Sequence, residues 1–454
     1  MSFLPFYDRL EKFMDNLKDK SGTRTSPWPL FVVGFALLVL AYLIMTAQVG
    51  LAVELALFLA PLWLPAIIVL AAWGLWMDLS RSRFIAKQKV ILLEIKPPRN
   101  LMKTPLAMEA VLSGLHLSGG DGTWYEKYFT GKLRPWLSFE IVSLEGQVHF
   151  FLWTRAGLRK LIEAQFYAQY PGVQITEAPD YTQLISAKPE EWALWGCDFV
   201  HTNSKVSVPL KTYVEYGLDK TQKEPEQVDP LAHLVEFMGT LGKGEYMWIQ
   251  YVVRAHKGES FKGKKNAEGK QYTWKDEAKE VVEKIIKEAR IKDKDEQGKE
   301  RLSPPILTGA RGDLIAAIER NIAKLAFDVG ARGIYLARPE KFDPVNITGL
   351  TGGFKQFSSE SPWNGIRPAR WMTDFNNYPW EIGVEKLQDK ARRGIVEAYR
   401  RRQYYYPPFV AGSHMVLSTE EFATLYHIPS AAIEAPSLPR IQSATSEAPV
   451  NLPV

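Results

Sequence analysis

Two long apolar runs stand apart from an otherwise mixed pattern, and both lie before residue 80. Pro29 to Ala47 (PLFVVGFALLVLAYLIMTA) carries no charge and has about the length that crosses a hydrocarbon core as a helix. Leu55 to Met77 (LALFLAPLWLPAIIVLAAWGLWM) is uncharged as well, and the short link between the two runs has Glu54 as its only charge. The pattern predicts a two-helix transmembrane hairpin over residues 28–78, closed by a tight exposed turn, with Pro61 and Pro65 kinking the second helix. Arg9, Lys12, Lys18, Lys20 and Arg24 precede the first run, and Arg81, Arg83, Lys87 and Lys89 follow the second. Basic flanks stay on the cytoplasmic side, so residues 1–27 and everything after the hairpin are expected in the cytoplasm, with the protein in the cytoplasmic (inner) membrane. Trp28, Trp73 and Trp76 sit where interfacial anchors belong. A secretory signal would have a shorter apolar region near the start and a small-residue cleavage site.

Downstream, the period of the pattern alternates between two and 3.6. Val90–Ile95 reads as a strand, Pro105–Leu115 as a helix, Leu137–Leu144 and Val148–Trp153 as strands joined at Glu145-Gly146, Ala156–Tyr170 as a helix, and Val173–Glu177 as a strand. The order β-α-β-β-α-β predicts a first ferredoxin-like α+β unit over residues 88–182. A looser version follows over 190–340: a strand at Lys211–Tyr216, a helix at Pro230–Leu241, a strand at Tyr246–Arg254, a helix at Gly312–Val329 and a strand at Gly333–Ala337. A charged helical insertion, 257–301, interrupts it. There Ala278, Val281, Val282, Ile285, Ile286 and Ala289 form one stripe, with Glu280–Lys284 and Glu283–Lys287 spaced for pairing, the composition of a solvated surface helix. Residues 341–430 lose periodicity, apart from a basic helix at Val384–Arg402 and a short helix at Leu417–His427, and 431–454 has the composition of an extended tail. The fold class expected is α+β: the hairpin, two ferredoxin-like (βαββαβ) units and an irregular C-terminal segment.

Composition narrows the chemistry mainly by exclusion. One cysteine, Cys197, rules out an internal disulfide framework, and the seven histidines have no metal-ligand spacing, so neither a metal nor a cofactor is expected. Gly258 to Lys265 imitates a phosphate-binding loop, but the last position is Lys265 where a Ser or Thr should hold Mg²⁺, and NAEGKQY follows where an apolar helix should open. Gly349-Leu350-Thr351-Gly352-Gly353 lacks a following lysine and reads as a flexible loop. No catalytic residue is assigned and the chain reads as a non-enzyme. Lys390, Arg392, Arg393, Arg400, Arg401 and Arg402, followed by Tyr404-Tyr405-Tyr406, are the candidate contacts for nucleic acid or an anionic partner, since such side chains neutralise phosphates and stack bases. The net charge of +5 is spread along the chain and favours a solvated helix, or one resting on anionic lipid or an acidic partner, over direct nucleic-acid contact. Ser418 reads as an N-cap with Glu421 as its capping-box partner, and Phe422, Leu425 and Tyr426 form an apolar stripe before Pro429; these five are the candidate docking residues.

Three stretches together resemble a known group. They are LEIKPP (Leu93–Pro98) with Thr104–Leu115, the run RPWLSFEIVSLEGQVHFFLW with its helix LRKLIEAQFYAQYPGVQI, and LSTEEFATLYHIPS followed by LPR. The chain resembles the membrane-anchored N-terminal region of bacterial HerA/FtsK-like conjugation ATPases of type IV secretion, over most of residues 90–440. In that group the pattern at Ser418 to Pro429 precedes the nucleotide-binding core. A G-x-x-x-x-G-K-[ST] loop is expected soon afterwards, and none lies before Val454. The resemblance therefore implies a non-catalytic scaffold or docking component of a DNA-transfer machine that works with a separate ATPase. The partners implied are the lipid bilayer, that ATPase and a second copy of the chain, with nucleic acid left open. The alternatives are a membrane-tethered single-stranded nucleic-acid-binding protein and a membrane-bound hydrolase.

Overall fold

The computed structural model describes residues 35–42, 49–98, 101–119, 122–185, 191–203, 205–219, 228–258, 265–266, 269–290, 292–294, 300–302, 305, 307–358, 363–373, 384–406, 409–410 and 414–429. The segment 1–27, the ends of the first apolar run, most of the glycine-lysine run after Gly258 and the tail 431–454 lie outside them. The chain divides into two units, Met1–Gln88 with Gly119–Arg134 and Asp374–Val384, and Lys89–Ser118 with Pro135–Thr373 and Glu385–Val454.

In the first unit, residues 35–42 are helical, followed by α1 (Val49–Phe58) and α2 (Ala60–Ala86). Glu54, expected in an exposed turn, lies inside α1. The break falls instead at Leu59, because the Pro61 ring cannot continue the preceding helix but suits the first turn of a new one. Pro65 lies inside α2. By length and composition α2 can cross a membrane, and its apolar side chains are exposed, Leu62 at 75% and Leu75 at 72%. A short helix, α4 (Trp124–Tyr128), belongs to the same unit and packs against α2. It was not anticipated from the sequence.

The second unit is built on one antiparallel sheet of nine strands. Its elements are β1 (Val90–Lys96), α3 (Pro105–Gly114), β2 (Leu137–Leu144), β3 (Gln147–Arg155), α5 (Arg159–Gln169), β4 (Gln174–Ala178), β5 (Ala193–His201), α6 (Ala232–Gly239) and β6 (Glu245–Ala255), followed by α7 (Trp274–Glu288), a separate hairpin of β7 (Lys292–Lys294) and β8 (Glu300–Leu302), α8 (Gly309–Ala323), β9 (Ala326–Ala337), α9 (Val345–Gly353), β10 (Ile366–Ala369), α10 (Val384–Arg400), β11 (Met415–Ser418) and α11 (Thr419–Leu425). The spatial order is β10-β5-β9-β6-β2-β3-β1-β4, with β11 also paired to β9. Antiparallel pairing of β2 with β6, from Leu137↔Val253 to Leu144↔Tyr246, joins the earlier and later strands in one continuous sheet where two separate units are expected from the sequence.

The first half follows the sequence reading closely. Pro105 opens α3 behind Thr104, and Met108, Val111 and Leu112 give it a buried face. Glu145 and Gly146 both have positive φ, 54° and 86°, the two-residue turn whose twist matches flanking strands; a Cβ at Gly146 would lie 2.5 Å from the Leu241 carbonyl oxygen. The second half departs further. Lys211–Tyr216 forms turns, and the strand that opens this half is β5. The helix expected to run to Val329 stops at Ala323, since Phe327 to Val329 pair with β6 and β11. Gly349 to Gly353 forms the end of α9, not a loop. In 341–430 the two expected helices form as α10 and α11, and among the described residues the segment also supplies α9, β10 and β11 to the same body. In the insertion, Ala278 and Val281 of α7 pack on Leu314 and Ile318 of α8 as a small separate core. Glu283 pairs with Lys287 at 3.9 Å, whereas Glu280 accepts from Tyr272 and Lys284 turns to Glu288.

The sheet is covered on both faces. Phe139, Ile141, Phe150, Ile249, Tyr251 and Phe327 point to one face, where they form a single apolar core with residues of α3, α5, α6, α9 and α11. On the other, Tyr399 of α10 meets Trp248, and Tyr181 stacks on Phe151.

Candidate functional site

The second face carries a row of side chains at one register. Glu94, Phe151, Glu140, Gln250, Arg332 and Asp198 stand opposite one another in turn across β1, β3, β2, β6, β9 and β5. Glu140, Gln250 and Arg332 are 0% exposed and Asp198 is 1% exposed. Buried charges need partners, and α10 brings the principal one.

Arg402 follows α10 in the left-handed region, with φ 50°. Its N–H donates to the Tyr399 carbonyl and the N–H of Gln403 to that of Ala398, the bonding of a Schellman cap, where glycine is the usual residue. The side chain explains the arginine. Nε and Nη2 donate to the two oxygens of Glu140 at 3.0 and 3.3 Å. Nη1 and Nη2 donate to Asp180 at 2.6 and 3.0 Å, and Nη1 also reaches the Arg400 carbonyl at 2.8 Å. All five guanidinium hydrogens are thus engaged, two carboxylates being held bidentately. Burial disfavours the charged forms, yet Arg402 depresses the pKa of Asp180, and the Glu140 carboxylate raises that of Arg402. Glu140 also accepts from Ser138, Gln250 and Tyr181, and Tyr399 bonds Tyr181 at 2.8 Å between hydroxyls. Burial drives both phenols well above their ordinary pKa.

The row continues to a second pair, Arg332 Nε donating to Asp198 Oδ1 at 2.9 Å. Arg332 lies 5.8 Å from the Trp371 ring and 5.5 Å from that of Tyr404, while half-buried Arg370 approaches Asp198 Oδ2 at 3.5 Å. Arg370 and Trp371 have φ of 63° and 57°, so three left-handed non-glycine residues gather around this row. The chemistry of its buried members is internal: Glu140, Gln250, Arg332 and Asp198 are engaged with one another and with Arg402, which fixes α10 to the sheet in one register, while part-buried Glu94 pairs with His149 and Lys96.

The basic candidates therefore separate. Arg402 is buried and cannot meet phosphate, and Arg400 is tied to the carbonyls of Thr182 and Ile185. Arg401 is exposed beside Glu397, Arg392 pairs with Asp389, and Lys390 and Arg393 are exposed. Nor do the tyrosines present a stacking platform: Tyr404 is 1% exposed, and Tyr405 donates to the Val252 or Asp328 carbonyl.

At α11 the capping box forms as read: Ser418 Oγ accepts from the Glu421 N–H, and the Glu421 carboxylate from the Ser418 N–H. Yet Ser418, Glu421, Phe422, Leu425 and Tyr426 are all 0–1% exposed, because Phe422 and Tyr426 pack on Phe139 and Tyr251 inside the apolar core. These side chains hold the helix in place and are not on the surface. Burial pushes Glu421 up to about 7 despite N–H donation from Ser418 and Leu210. Next to it, Glu420 is gripped by Arg320 and Lys324, and Lys324 also reaches Glu109 at 2.7 Å. His427 directs its two ring nitrogens at the Ala423 carbonyl and the Asp229 carboxylate, both acceptors, an arrangement that suits the imidazolium; burial opposes that charge, but Asp229 outweighs it and raises the pKa.

Elsewhere, Asp328 accepts from Arg254 at 2.8 Å and lies 2.7 Å from His256 Nδ1, partners that outweigh burial and hold it well below the usual carboxylate range. Cys197 is buried in β5, which drives its thiol well upward. A groove of about 360 Å³ along α3 is lined by Lys103, Glu109, Ser113 and Gln169, and its one carboxylate is the Glu109 already bonded to Lys324 and Tyr213. Among the described residues, no three His, Cys, Asp or Glu side chains gather as a metal site would need.

Glu140, Asp180, Asp198, Arg332 and Arg370 were missed in the sequence. The available signal was that Trp153 and Trp248 share the polar parity of their strands, which marks that face as covered. No curated protein matches the chain. The family described as Domain of unknown function (DUF8128) matches residues 83–440, most of the 454, and the chain belongs to that family.

Proposed function

We propose that this chain is a membrane-anchored, non-catalytic docking component of a DNA-transfer machine of the type IV secretion kind, working beside a separate ATPase. The anchor is the transmembrane hairpin expected over residues 28–78, whose second apolar run, Leu55–Met77, takes in the apolar part of α2. The body is a pair of ferredoxin-like units, β1-α3-β2-β3-α5-β4 and β5-α6-β6-β9-α9-β10, fused edge to edge through β2 and β6. The observation that carries the platform reading is the repeated strand order. β4-β1-β3-β2 on one side corresponds to β10-β5-β9-β6 on the other, and in each half the helices after the first and third strands pack on the same face. The extra elements α7, β7, β8 and α8 fall between the second and third strands of the second unit, where the first has its tight turn. Use of the buried charges in internal pairing adds support, since a rigid covered sheet suits docking better than turnover.

The test is co-purification of the full chain, in detergent, with each HerA/FtsK-like ATPase of its source cell. Association with one of them is expected. Deletion of residues 431–454 is expected to abolish it while leaving membrane insertion and thermal stability unchanged, which would locate the docking element outside buried α11. Absence of association with every candidate would overturn the proposal.

A further inference from the structure

The segment 122–134, GTWYEKYFTGKLR, leaves the sheet between α3 and β2 and belongs to the unit of α2. It is ordered by its own bonds. Thr123 caps α4 and Glu126 completes the capping box; Glu126 also pairs with Lys132 at 2.9 Å, and the Thr130 hydroxyl donates to the Glu126 carbonyl at 2.6 Å. Gly131, with φ 67°, brings its backbone so close to α2 that a Cβ there would lie 2.4 Å from the Ser80 carbonyl oxygen. The Trp76 indole N–H donates to the Tyr128 carbonyl at 2.9 Å, Trp73 lies 5.7 Å from the Tyr128 ring, and Trp76 meets Phe129 edge-on at 6.4 Å.

This attachment does not bury the hook. Trp124 is 62% exposed, Tyr125 61% and Phe129 42%, and their rings cluster together, Tyr125 stacking on Phe129 at 5.3 Å. The aromatic patch continues onto Trp73 and Trp76, themselves 40% and 39% exposed, where α2 passes from its apolar run to Asp78, Arg81 and Arg83. Lys132 pairs with Glu126 and Arg134 is buried, which leaves exposed Lys127 as the cation that the segment presents beside the rings. Exposed rings, those of Trp124 and Tyr125 with polar atoms, and an exposed lysine at the end of an apolar helix have the chemistry of a headgroup boundary, where Trp and Tyr concentrate and anionic lipid attracts Lys and Arg.

We propose that residues 122–134 form an interfacial anchor that lies in the headgroup layer of an anionic bilayer, level with Trp73 and Trp76. The inference rests on the membrane reading of α2. The hook widens the footing of the chain beyond what a helix provides, and its ties to α2 through Trp76, Gly131 and Ser80 resist rotation of that helix about its axis.

The test uses the full chain in phosphatidylcholine–phosphatidylglycerol vesicles with a nitroxide at one introduced cysteine, Cys197 being fully buried. Tyr125→Cys reads the hook, Leu62→Cys reads α2, and Lys287→Cys, on a side chain 76% exposed, is the aqueous reference. Collision with oxygen and with a water-soluble nickel chelate is measured at each. The expected oxygen-to-nickel ratio at 125 lies between the high value at 62 and the low value at 287, and rises with the phosphatidylglycerol fraction. A ratio at 125 equal to that at 287, with 62 in lipid, overturns the hook and leaves the membrane reading standing. A label at 125 shielded from both reagents places protein over the hook and also overturns it. An aqueous label at 62 removes the membrane reading, and the inference with it.

Discussion

The two faces of the sheet are covered equally well by different means. Under α3, α5, α6, α9 and α11 the strands present Phe, Ile, Leu and Tyr, and cohesion comes from area removed from water, which is non-directional and tolerant of small changes in shape. Under α10 the neighbouring positions of the same strands present Glu140, Gln250, Arg332 and Asp198, and each needs a partner at a defined distance. An apolar face lets a helix slide by a fraction of a turn at modest cost. A row of buried charges admits one register, because any slip leaves an uncompensated ion. The side with fewer covering helices is thus the side with the more exacting chemistry.

The sharpest way to break that contrast is Arg402→Met. It leaves Glu140, 0% exposed, without its bidentate partner, and removal of one member of a buried pair costs about 3–5 kcal/mol. Denaturant unfolding of the full chain in detergent is expected to show a loss of that size. Arg402→Gly separates the side chain from the backbone, since it relieves about 1 kcal/mol of left-handed strain yet keeps the unpaired Glu140. A stable Arg402→Gly protein would mean that the cap matters and the ion pair does not. Pairing Arg402→Met with Glu140→Met is expected to recover only part of the loss, because Asp180 then lacks the guanidinium, and Ser138, Gln250 and Tyr181 lack the carboxylate they bond.

A smaller effect belongs to the buried titratable groups of and beside α11, Glu421 and His427. The folded pKa of Glu421, about 7, exceeds the ordinary 4.5, so its contribution to stability is fully present below pH 4.5 and is lost as pH rises to 7. The His427 pKa is raised as well, so its contribution is present below about 6.5 and is lost as pH rises through the folded value. Both signs agree. Stability is expected to fall between pH 5 and pH 8, by at most about 3 kcal/mol from the Glu421 part. Glu421→Gln is expected to flatten the portion between pH 5 and 7, with thermal unfolding at each pH as the readout. An unchanged slope would show that the Glu421 carboxyl does not titrate there.

The sequence made the apolar face legible and concealed the other. Alternation in LSFEIVSL located β2 to the residue, because strand period and turn chemistry are local properties. The same alternation sets Glu140 on the face opposite Ile141, but nothing local reveals that α10, more than 240 residues later, covers that face. Arg400 to Arg402 read as one basic patch, but their fates diverge over three residues: Arg402, at the left-handed turn, is buried on Glu140, Arg400 is tied to the Thr182 and Ile185 carbonyls, and Arg401 is exposed. The α11 capping box was read correctly from Ser418 and Glu421, whereas the burial of all its faces depends on the sheet it meets. The helix drawn through Phe327 to Val329 failed for a similar reason: α8 and β9 follow each other within three residues, and a helical pattern runs smoothly across the junction. Aromatic residues in α4 were also visible, but their apposition to Trp73 and Trp76 is long-range.

The finest comparison uses adjacent residues of β2 that point to opposite faces. Glu140→Gln and Ile141→Val each change little in volume, and both residues are 0% exposed. On the apolar side, loss of one methyl group costs about 0.5–1.5 kcal/mol, through lost transfer energy and a small cavity that Val148 and Phe150 on β3 can partly close. On the polar side no atom is lost, but the charge that Arg402 and Tyr181 address disappears, and one of two acceptor oxygens becomes a donor facing donors. The Glu140→Gln loss is therefore expected to exceed that of Ile141→Val by a factor of two or more. The two effects should also add in the double variant, because the side chains lie on opposite sides of the strand and share no partner. Equal losses would mean that both faces are held by burial alone. Strong coupling between them would mean that the strand shifts as a whole, so that the register fixed by the charged row also governs the packing of the apolar core.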